Sequence, residues 1–269
     1  MYEKISKELF KKIAKLNQKK YRLENKQVLI EGERLISQVL LYLENNTLHP
    51  DTKFYYLLIE ENSFVKYHDI IDKFKSSDSQ IKIYTINEQQ AQQISETMTS
   101  QNIFAVSTFI FNTIKSYNRL VYLDSISDPG NLGTIFRTAT SFDIDGLILS
   151  DNCCELSNPK LIRASMGSVF YQPILLANHE WLLNRQEKLY ISVVNEGVSL
   201  NNITFPKQPY ILVIGSEATG VDKSIFSSQH TKVKISIKQD MESLNVAIAT
   251  GIFMQKMFND SKKSLINNI

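Results

Sequence analysis

The sequence feature that most constrains the fold is an unbroken apolar run, Tyr210-Ile211-Leu212-Val213-Ile214. Its side chains do not alternate between apolar and polar, so both faces of a strand built from it must be buried. This is typical of a parallel sheet that is covered by helices on both sides. Similar segments are predicted as strands at 120–124, 146–150, 189–194 and 233–237, with helical patterns between most of them. The second half of the chain is therefore predicted to be an α/β domain with a parallel sheet.

The first half of the chain alternates shorter helical and strand patterns. Ile5, Leu9, Ile13 and Leu16 recur every three or four residues, which predicts an amphipathic helix. The predicted strands are 28–30, 54–59, 81–86 and 103–106. This alternation predicts a small α/β sandwich. A polar stretch at 112–118 then marks a boundary near residue 113, which predicts two domains, 1–112 and 113–269.

Positive charge is concentrated at the start of the chain, although the net charge of the whole chain is only +2. Against Glu3, Glu8 and Glu24, residues 1–26 contain nine basic residues, namely Lys4, Lys7, Lys11, Lys12, Lys15, Lys19, Lys20, Arg22 and Lys26. A local positive surface of this kind suits a nucleic-acid backbone. A Lys-rich helix that merely faces solvent has the same pattern, so charge alone leaves both interpretations open.

The cysteines and histidines argue against a metal centre or a disulfide framework. Cys153 and Cys154 are adjacent and have no second cysteine cluster, and the four histidines are scattered. No stretch approaches the roughly 20 apolar residues of a membrane span, and Met1 to Phe10 carry Lys and Glu instead of an apolar leader segment. We therefore expect a cytoplasmic protein that needs no metal and no membrane.

Polar residues follow a predicted strand at Asp128-Pro129-Gly130-Asn131. Pro129 and Gly130 predict a turn, and Asn131 is a favourable N-cap, so a helix with free backbone N–H groups is expected to begin there. Such a helix start can hold an anion. Arg137 follows within this otherwise apolar helix, where a core-facing charge would need a partner. A surface arginine on an ordinary capped helix is the alternative.

Two further segments place polar residues near predicted strand ends. Gly215-Ser216-Glu217-Ala218-Thr219-Gly220 ends a strand with two glycines that bracket a carboxylate, which allows a close approach of a ligand to the backbone. It lacks the spacing of the dinucleotide and Walker motifs. In Glu242-Ser243-Leu244-Asn245, Ser243 is predicted to cap a helix with an apolar face of Leu244, Ala247, Ile248, Gly251 and Ile252. Each segment alone is equally typical of a turn or a capped core helix.

Together, in this order, the three segments resemble the signature motifs of the SpoU (TrmH-like) family of RNA 2'-O-ribose methyltransferases. The matching patterns are Asn-x-Gly-x-x-x-Arg-Thr-Ala, Gly-x-Glu-x-x-Gly and Glu-Ser-Leu-Asn-Val-x-x-Ala. Ser216 and Ala218 depart from the residues usual in the second motif. In the first half, Lys20-Tyr21-Arg22, Ile30-Glu31-Gly32 and 97–101 look like the RNA-binding domain that precedes the catalytic domain in many members directed at ribosomal RNA.

The resemblance implies a fold, a cofactor and a site. The catalytic domain would end in a trefoil knot, pair as a homodimer and bind S-adenosyl-L-methionine without a metal. The cofactor-binding residues implied are Val194, Gly215, Gly220, Ile237 and Leu244. The catalytic residues implied are Arg137, which would engage an RNA phosphate, and Asn131, Glu217, Ser243 and Asn245, which would organise the pocket.

The resemblance also favours one substrate. An N-terminal domain of about 112 residues is longer than tRNA-directed members usually carry, so we expect methylation of a ribose 2'-hydroxyl in 23S-type ribosomal RNA. A tRNA ribose methyltransferase and a catalytically silent, knotted RNA-binding protein are the alternatives. A nucleotide-binding α/β enzyme unrelated to RNA is disfavoured, because its phosphate-loop motifs are missing.

Overall fold

The structure is a computed structural model that describes residues 2–77, 81–227, 229–238 and 240–266. The strands are β1 (Glu3–Lys4), β2 (Gln27–Glu31), β3 (Phe54–Glu60), β4 (Lys82–Ile86), β5 (Ile103–Thr108), β6 (Arg119–Asp124), β7 (Gly146–Leu149), β8 (Ile174–Leu176), β9 (Lys188–Ser192), β10 (Val198–Ser199), β11 (Tyr210–Gly215) and β12 (His230–Lys234). The α-helices are α1 (Lys7–Ala14), α2 (Lys19–Asn25), α3 (Glu33–Glu44), α4 (His68–Ser77), α5 (Glu88–Ile94), α6 (Pro129–Ser141), α7 (Pro159–Ala164), α8 (Ser168–Tyr171), α9 (His179–Leu183) and α10 (Val246–Ile266).

These elements form two compact units. The first contains Met1–Phe111 and also Leu156–Tyr171, which carries α7 and α8. The second contains Asn112–Glu155 and Gln172–Ile269. The chain therefore leaves the second unit once and returns to it.

The first unit is built on a five-stranded mixed sheet in the order β1-β4-β3-β5-β2. In this sheet β4 runs parallel to β1 and β3, whereas β5 runs antiparallel to β3 and β2. Phe10 and Ile13 of α1 and Ala91 and Ile94 of α5 pack against one face of the sheet. The alternate strand residues Val28, Ile30, Leu57 and Ile59 are also buried, so both faces are covered. This confirms the α/β character expected of the first half.

Local sequence explains where two of these helices begin. The Ser6 hydroxyl accepts a hydrogen bond from the backbone N–H of Leu9 at the start of α1. At the start of α5, Asn87 and Gln90 form a reciprocal capping box.

The second unit is built on a seven-stranded parallel sheet in the order β10-β12-β9-β11-β6-β7-β8. Each neighbouring pair of strands is parallel. The residues of β6 and β11 from Leu120 to Leu123 and from Tyr210 to Ile214 are buried, as the continuous apolar runs require. The predicted parallel-sheet α/β domain is confirmed.

One predicted strand is displaced. A strand was expected at 233–237, but the observed strand β12 begins at His230 and ends at Lys234, so only the first two residues of the expected segment belong to it. The register is set by pairing, since β12 lies between β9 and β10 and bonds to both. Residues after Lys234 have no strand on which to continue the ladder, so the apolar residues Ile235 and Ile237 lie in the following loop instead.

Among the described residues, no helix is both long enough and apolar enough to cross a membrane.

Candidate functional site

The first motif forms the beginning of α6. The Asp128 side chain accepts a hydrogen bond from the backbone N–H of Asn131 at 2.7 Å, and Pro129 occupies the first turn. The N-cap is therefore Asp128, and the prediction that Asn131 caps this helix is wrong. Asp128 has the extended backbone and the side-chain acceptor that a cap requires, and the fixed φ of Pro129 favours starting the helix immediately after it. Asn131 thus lies inside the first turn, with its amide available for other contacts.

Asn131, Glu217 and Asn245, one from each motif, meet in a hydrogen-bonded cluster. Nδ2 of Asn131 lies 3.3 and 3.4 Å from the two carboxylate oxygens of Glu217. Nδ2 of Asn245 donates to Glu217 Oε1 at 2.7 Å and lies 2.9 Å from Asn131 Oδ1. The backbone N–H of Val246, the first residue of α10, donates to the same carboxylate oxygen at 2.9 Å. The three motifs, distant in the sequence, therefore form one polar site.

Glu217 belongs to residues 215–222, which run from the last residue of β11 to Asp222 and which we call the glutamate loop. The backbone N–H of Gly220 donates to Ser216 O at 2.9 Å, which closes the loop. Gly220 has a φ of +70°, a conformation that favours glycine. A Cβ on Gly215 would lie 2.1 Å from the carbonyl carbon of Gly220, so any side chain there would collide with the loop. The two glycines thus allow the turn that presents Glu217.

The third motif starts α10, but not at the predicted residue. Oδ1 of Asn245 accepts hydrogen bonds from the backbone N–H groups of Ala247 and Ile248 at 3.0 and 3.3 Å. Asn245 is therefore the cap, and the prediction for Ser243 is wrong. Ser243 is exposed and lies before the helix, because Glu217 binds the first free N–H at Val246 and so fixes the helix start there.

The predicted apolar face of α10 is also partly wrong. Ile248 and Ile252 are 56% and 36% exposed, whereas Phe253, Met254 and Met257 are buried. The core therefore lies on an adjacent side of the helix, and Ile248 and Ile252 form an exposed apolar strip. Beside them, a Cβ on Gly251 would lie 3.5 Å from Thr138 of α6, so the two helices pack closely at that point.

Arg137 lies two turns into α6 and is exposed. Its guanidinium makes no hydrogen bond or ion pair with any residue that the structure describes. It therefore faces away from the core, and its charge is available to a ligand.

Three of the predicted cofactor-binding residues line one small pocket. Val194, Ile237 and Leu244 form its walls together with Ser192, Val193, Ile235, Ala249 and Phe253, around a volume of about 50 Å³. Gly215 and Gly220 do not line this pocket. The backbone N–H groups of Ile237 and Leu244 have no partner within the described part of the chain. Apolar walls with free backbone donors suit a flat nucleoside, but ligand pockets usually measure roughly 300–1,000 Å³. The pocket in this structure is smaller than that range.

Asp124, at the carboxyl end of β6, is a charged residue that the motifs did not identify. It is 2% exposed, and its carboxylate contacts His179 Nε2 at 2.9 Å and the backbone N–H of Asp222 at 2.8 Å. Nearby, burial raises the pKa of the Cys153 thiol and of the Tyr122 hydroxyl. A raised pKa favours the protonated form of both groups.

The predicted basic surface of the first unit needs one correction. Arg22 is 5% exposed, and its guanidinium donates to Leu16 O, Asn17 O and Ser157 Oγ. It binds the turn between α1 and α2 instead of facing solvent, because a buried guanidinium needs several acceptors. The exposed cations of this segment are Lys4, Lys7, Lys11, Lys12, Lys15, Lys19, Lys20 and Lys26. Lys15 and Lys20 also lie 5.1 and 5.9 Å from the ring centre of Tyr21.

The other two N-terminal segments of the resemblance come together. The buried carboxylate of Glu31 accepts hydrogen bonds from Ser95 Oγ, Glu96 N and Thr97 Oγ1, at 2.5, 3.1 and 2.9 Å. These bonds fix the start of the loop at 97–101, whose Met98 is fully exposed.

Within the described ranges, no group of three or more His, Cys, Asp or Glu residues could hold a metal ion.

Comparison with known proteins agrees with this architecture. Residues 7–105 match the model of the MRM3-like substrate binding domain. The chain therefore combines a parallel-sheet α/β unit with a segment that matches a separate substrate-binding domain. The chain belongs to the SpoU rRNA Methylase family, whose model matches residues 118–255.

Individual relatives are similar over most of the chain. It is 26% identical over 244 residues to the 23S rRNA (guanosine(2553)-2'-O)-methyltransferase RlmP of Bacillus subtilis (strain 168), covering 89% of this chain and 92% of that protein. It is 28% identical to the uncharacterized tRNA/rRNA methyltransferase slr1673 of Synechocystis sp., covering 91% and 89%. The AdoMet-bound rRNA methyltransferase from Sinorhizobium meliloti has a similar structure, with a TM-score of 0.77 and 25% identity, covering 98% and 97%.

Proposed function

We propose that this chain transfers a methyl group from S-adenosyl-L-methionine to a ribose 2'-hydroxyl of RNA, specifically 23S-type ribosomal RNA. The observation that carries the proposal is the cluster of Asn131, Glu217 and Asn245, in which all three family motifs meet. RlmP of Bacillus subtilis, which is similar over 89% of this chain, has a name that describes this reaction on 23S ribosomal RNA.

We assign cofactor binding to the pocket between β9 and the loop after β12. Val194, Ile237 and Leu244 would contact the adenosine. The backbone N–H groups of Ile237 and Leu244, which have no partner among the described residues, would donate to its polar edge. Gly215 and Gly220 would contribute by shaping the glutamate loop. When bound, the sulfonium supplies an activated methyl group, so no metal is required.

The remaining residues have to align the ribose oxygen with that methyl group. Arg137 is an exposed cation that makes no hydrogen bond or ion pair with a described residue, and its guanidinium would hold an RNA phosphate through two hydrogen bonds. Glu217 already accepts hydrogen bonds from Asn131, Asn245 and Val246, so its role is to organise the cluster. Ser243 lies exposed just before α10, where its hydroxyl would contact substrate directly.

Residues 1–112 would act as the RNA-binding domain and 113–269 as the methyltransferase domain. The lysines of α1, α2 and the short turn between them provide an exposed basic surface for the phosphate backbone. Arg22 supports that surface from inside.

We also propose that the C-terminal part of the chain is threaded into a trefoil knot. Consecutive strands β9 and β10 are separated in the sheet by β12, so the short connection 193–197 must cross β12. At that crossing, a Cβ on Gly197 would lie 3.2 Å from the backbone of Lys232. An experimental structure that traces residues 193–245 tests this; a connection that passes around the end of β12 would remove the knot.

A homodimer is the assembly that we propose for the active protein. The exposed strip of Ile248 and Ile252 lies on α10, the helix whose start binds Glu217. Burying it against a second copy would place the partner chain close to the site.

Mapping of ribose methylation tests the proposed function. Ribosomal RNA from a strain that lacks this gene should lose one 2'-O-methyl group, and the purified chain with S-adenosyl-L-methionine should restore it. If a 2'-O-methyl group is lost from tRNA alone, the substrate is tRNA and not ribosomal RNA. If RNA methylation is unchanged, the proposed function is contradicted.

A further inference from the structure

Asp124 is a buried carboxylate that the proposed chemistry does not use. It is the last residue of β6, and its Oδ1 contacts His179 Nε2 at 2.9 Å and Ser125 Oγ at 3.1 Å. Its Oδ2 accepts the backbone N–H of Asp222 at 2.8 Å. Desolvating a charge costs free energy that these hydrogen bonds must offset, so the arrangement needs an explanation beyond simple packing.

The contacts of Asp124 fix both ends of the glutamate loop. In the parallel ladder, Asp124 is the register partner of Gly215, the residue at which the loop begins. Its side chain holds the backbone N–H of Asp222, the residue at which the loop ends. One residue of β6 therefore contacts both ends of the loop, Gly215 through the ladder and Asp222 through its side chain.

Glu217 lies between these two attachment points. Its Oε1 must reach Asn245 at 2.7 Å and the N–H of Val246 at 2.9 Å, while its carboxylate also faces Asn131. A small shift of the loop would break these contacts. Such a shift would affect catalysis, because a misplacement of a catalytic group by about 1 Å can reduce a reaction rate on the order of 100-fold.

His179 completes the arrangement on the other side of Asp124. It is the first residue of α9, and its ring is partly exposed and lies 6.2 Å from the ring of Tyr122. The Tyr122 hydroxyl donates to Ala177 O at 3.1 Å, which holds the chain just before α9. His179 is thus placed to orient the Asp124 carboxylate towards Asp222.

We propose that Asp124, oriented by His179, is a positioning residue that holds the glutamate loop and so places Glu217 for methyl transfer. This inference rests on the proposed function. It assigns a role to two residues that contact neither the pocket nor the Asn131–Glu217–Asn245 cluster.

The test compares Asp124→Ala with a matched control, Asp260→Ala, in the full-length protein. Asp260 is also a buried carboxylate of the second unit that accepts a distant backbone N–H, that of Phe205, and contacts one cationic side chain, Lys256. Asp124→Asn is the conservative variant, since its amide oxygen can still accept from the backbone N–H of Asp222 and its side chain keeps the size that places it beside His179. His179→Ala is a second variant at a partly exposed position, in case Asp124→Ala does not fold.

Two measurements are made at a temperature where the compared variants are folded. At saturating S-adenosyl-L-methionine, single-turnover methylation of ribosomal RNA should be slowed roughly 10–100-fold in Asp124→Ala, with the Kd for RNA changed less than about threefold. Amide hydrogen exchange should accelerate at 216–222. Asp124→Asn should recover most of the rate, and His179→Ala should change rate and exchange in the direction of Asp124→Ala. Asp260→Ala should lower stability without changing either measurement.

Equal rates in Asp124→Ala and Asp260→Ala, or unchanged exchange at 216–222, would overturn the positioning role. The exchange measurement needs no turnover. If wild-type protein does not methylate ribosomal RNA, the proposed function fails. Amide hydrogen exchange at 216–222 in the variants still tests whether Asp124 holds the glutamate loop.

Discussion

At the residue scale, Arg137 and Glu217 are the charged groups of the proposed site, and they are held very differently. Glu217 receives hydrogen bonds from three donors, so its position is fixed before any substrate arrives. Arg137 is exposed on α6 and makes no ion pair with a described residue. A preorganised carboxylate suits an organising role, whereas a free guanidinium suits a phosphate that arrives with the RNA.

Arg137→Ala should abolish most methyl transfer but leave folding and cofactor binding intact. Alanine keeps the helix propensity, and the guanidinium that it removes makes no hydrogen bond or ion pair with a described residue. Each tenfold loss in single-turnover rate corresponds to about 1.4 kcal/mol of transition-state stabilisation. Arg137→Lys should rescue poorly, because an ammonium group cannot form the bidentate contact.

The control for this experiment is Ser141→Ala, one turn further along the same exposed face of α6. Among the described residues its hydroxyl donates to the backbone carbonyl of Arg137, so the turnover of this variant should remain near wild type. Near-normal turnover in Arg137→Ala would remove this residue from the mechanism, and loss of cofactor binding would assign it a structural role.

The residues of the polar cluster could be predicted from sequence, but their contacts could not. Asn131, Glu217 and Asn245 stand in recognisable motifs at strand ends. Asp124 also ends a strand, yet an aspartate there is equally typical of an ordinary turn, and its partners Asp222 and His179 are distant in sequence. Arg22 shows the opposite error, since a basic residue in a basic segment gave no sign that it is buried.

At the element scale, the start of α10 connects stability to the site. Asn245 caps the helix and Glu217 binds its first free N–H, so both predicted organisers also hold the helix end. Sequence placed the cap at Ser243 because a serine before an apolar run satisfies the same local rule. A tertiary contact, the hydrogen bond from the backbone N–H of Val246 to Glu217, determines which of the two residues caps the helix.

Asn245→Ala should lower the free energy of unfolding by about 1 kcal/mol, the usual cost of removing an N-cap. Ser243→Ala, the matched control, should change it by less than about 0.5 kcal/mol, as expected for an exposed residue outside the helix. Urea unfolding of both variants measures the difference. Equal destabilisation of the two variants would contradict the assignment of the cap.

A second element-scale feature is the basic surface of α1 and α2. Replacing Lys15, Lys19 and Lys20 with Ala should weaken RNA binding and flatten its salt dependence, by a log–log slope of about 0.7–0.9 for each phosphate that is no longer neutralised. Arg22 is kept, because its replacement would disturb the fold. Lys53→Ala with Lys82→Ala, at exposed positions elsewhere in the same unit, is the control. An unchanged affinity and slope in the triple variant would show that these lysines only face solvent.

Strands were easier to predict than their ends. The buried runs of β6 and β11 are visible as continuous apolar segments. Strands β8 and β10, of three and two residues, are too short for such a signal and exist through pairing with β7 and β12. The end of β12 is also determined by pairing with β9 and β10. The strand therefore ends at Lys234, before Ile235 and Ile237, the apolar residues on which the prediction was based.

At the scale of the whole molecule, the exposed strip on α10 predicts self-association. Ile248→Glu with Ile252→Glu should convert a dimer of 30.9 kDa chains into monomers, because two charges would have to be buried at the interface. Val65→Glu, at an 87% exposed apolar residue of the first unit, is the control. Sedimentation velocity distinguishes the species. A wild-type monomer, or a double variant that remains dimeric, would contradict the proposed interface.

The central claim is that the whole chain methylates a ribose oxygen of RNA, and the product of one reaction tests it most directly. Purified protein is incubated with S-adenosyl-L-methionine that carries a labelled methyl group and with ribosomal RNA from a strain lacking the gene. The RNA is then digested to nucleosides for mass spectrometry. We expect label on a single 2'-O-methylribose, matched by an equal amount of S-adenosylhomocysteine, and the loss of most of this label with Arg137→Ala. Label on a base would contradict the claim that the chain methylates a ribose oxygen. So would the absence of label on the RNA when the protein binds both the RNA and S-adenosyl-L-methionine.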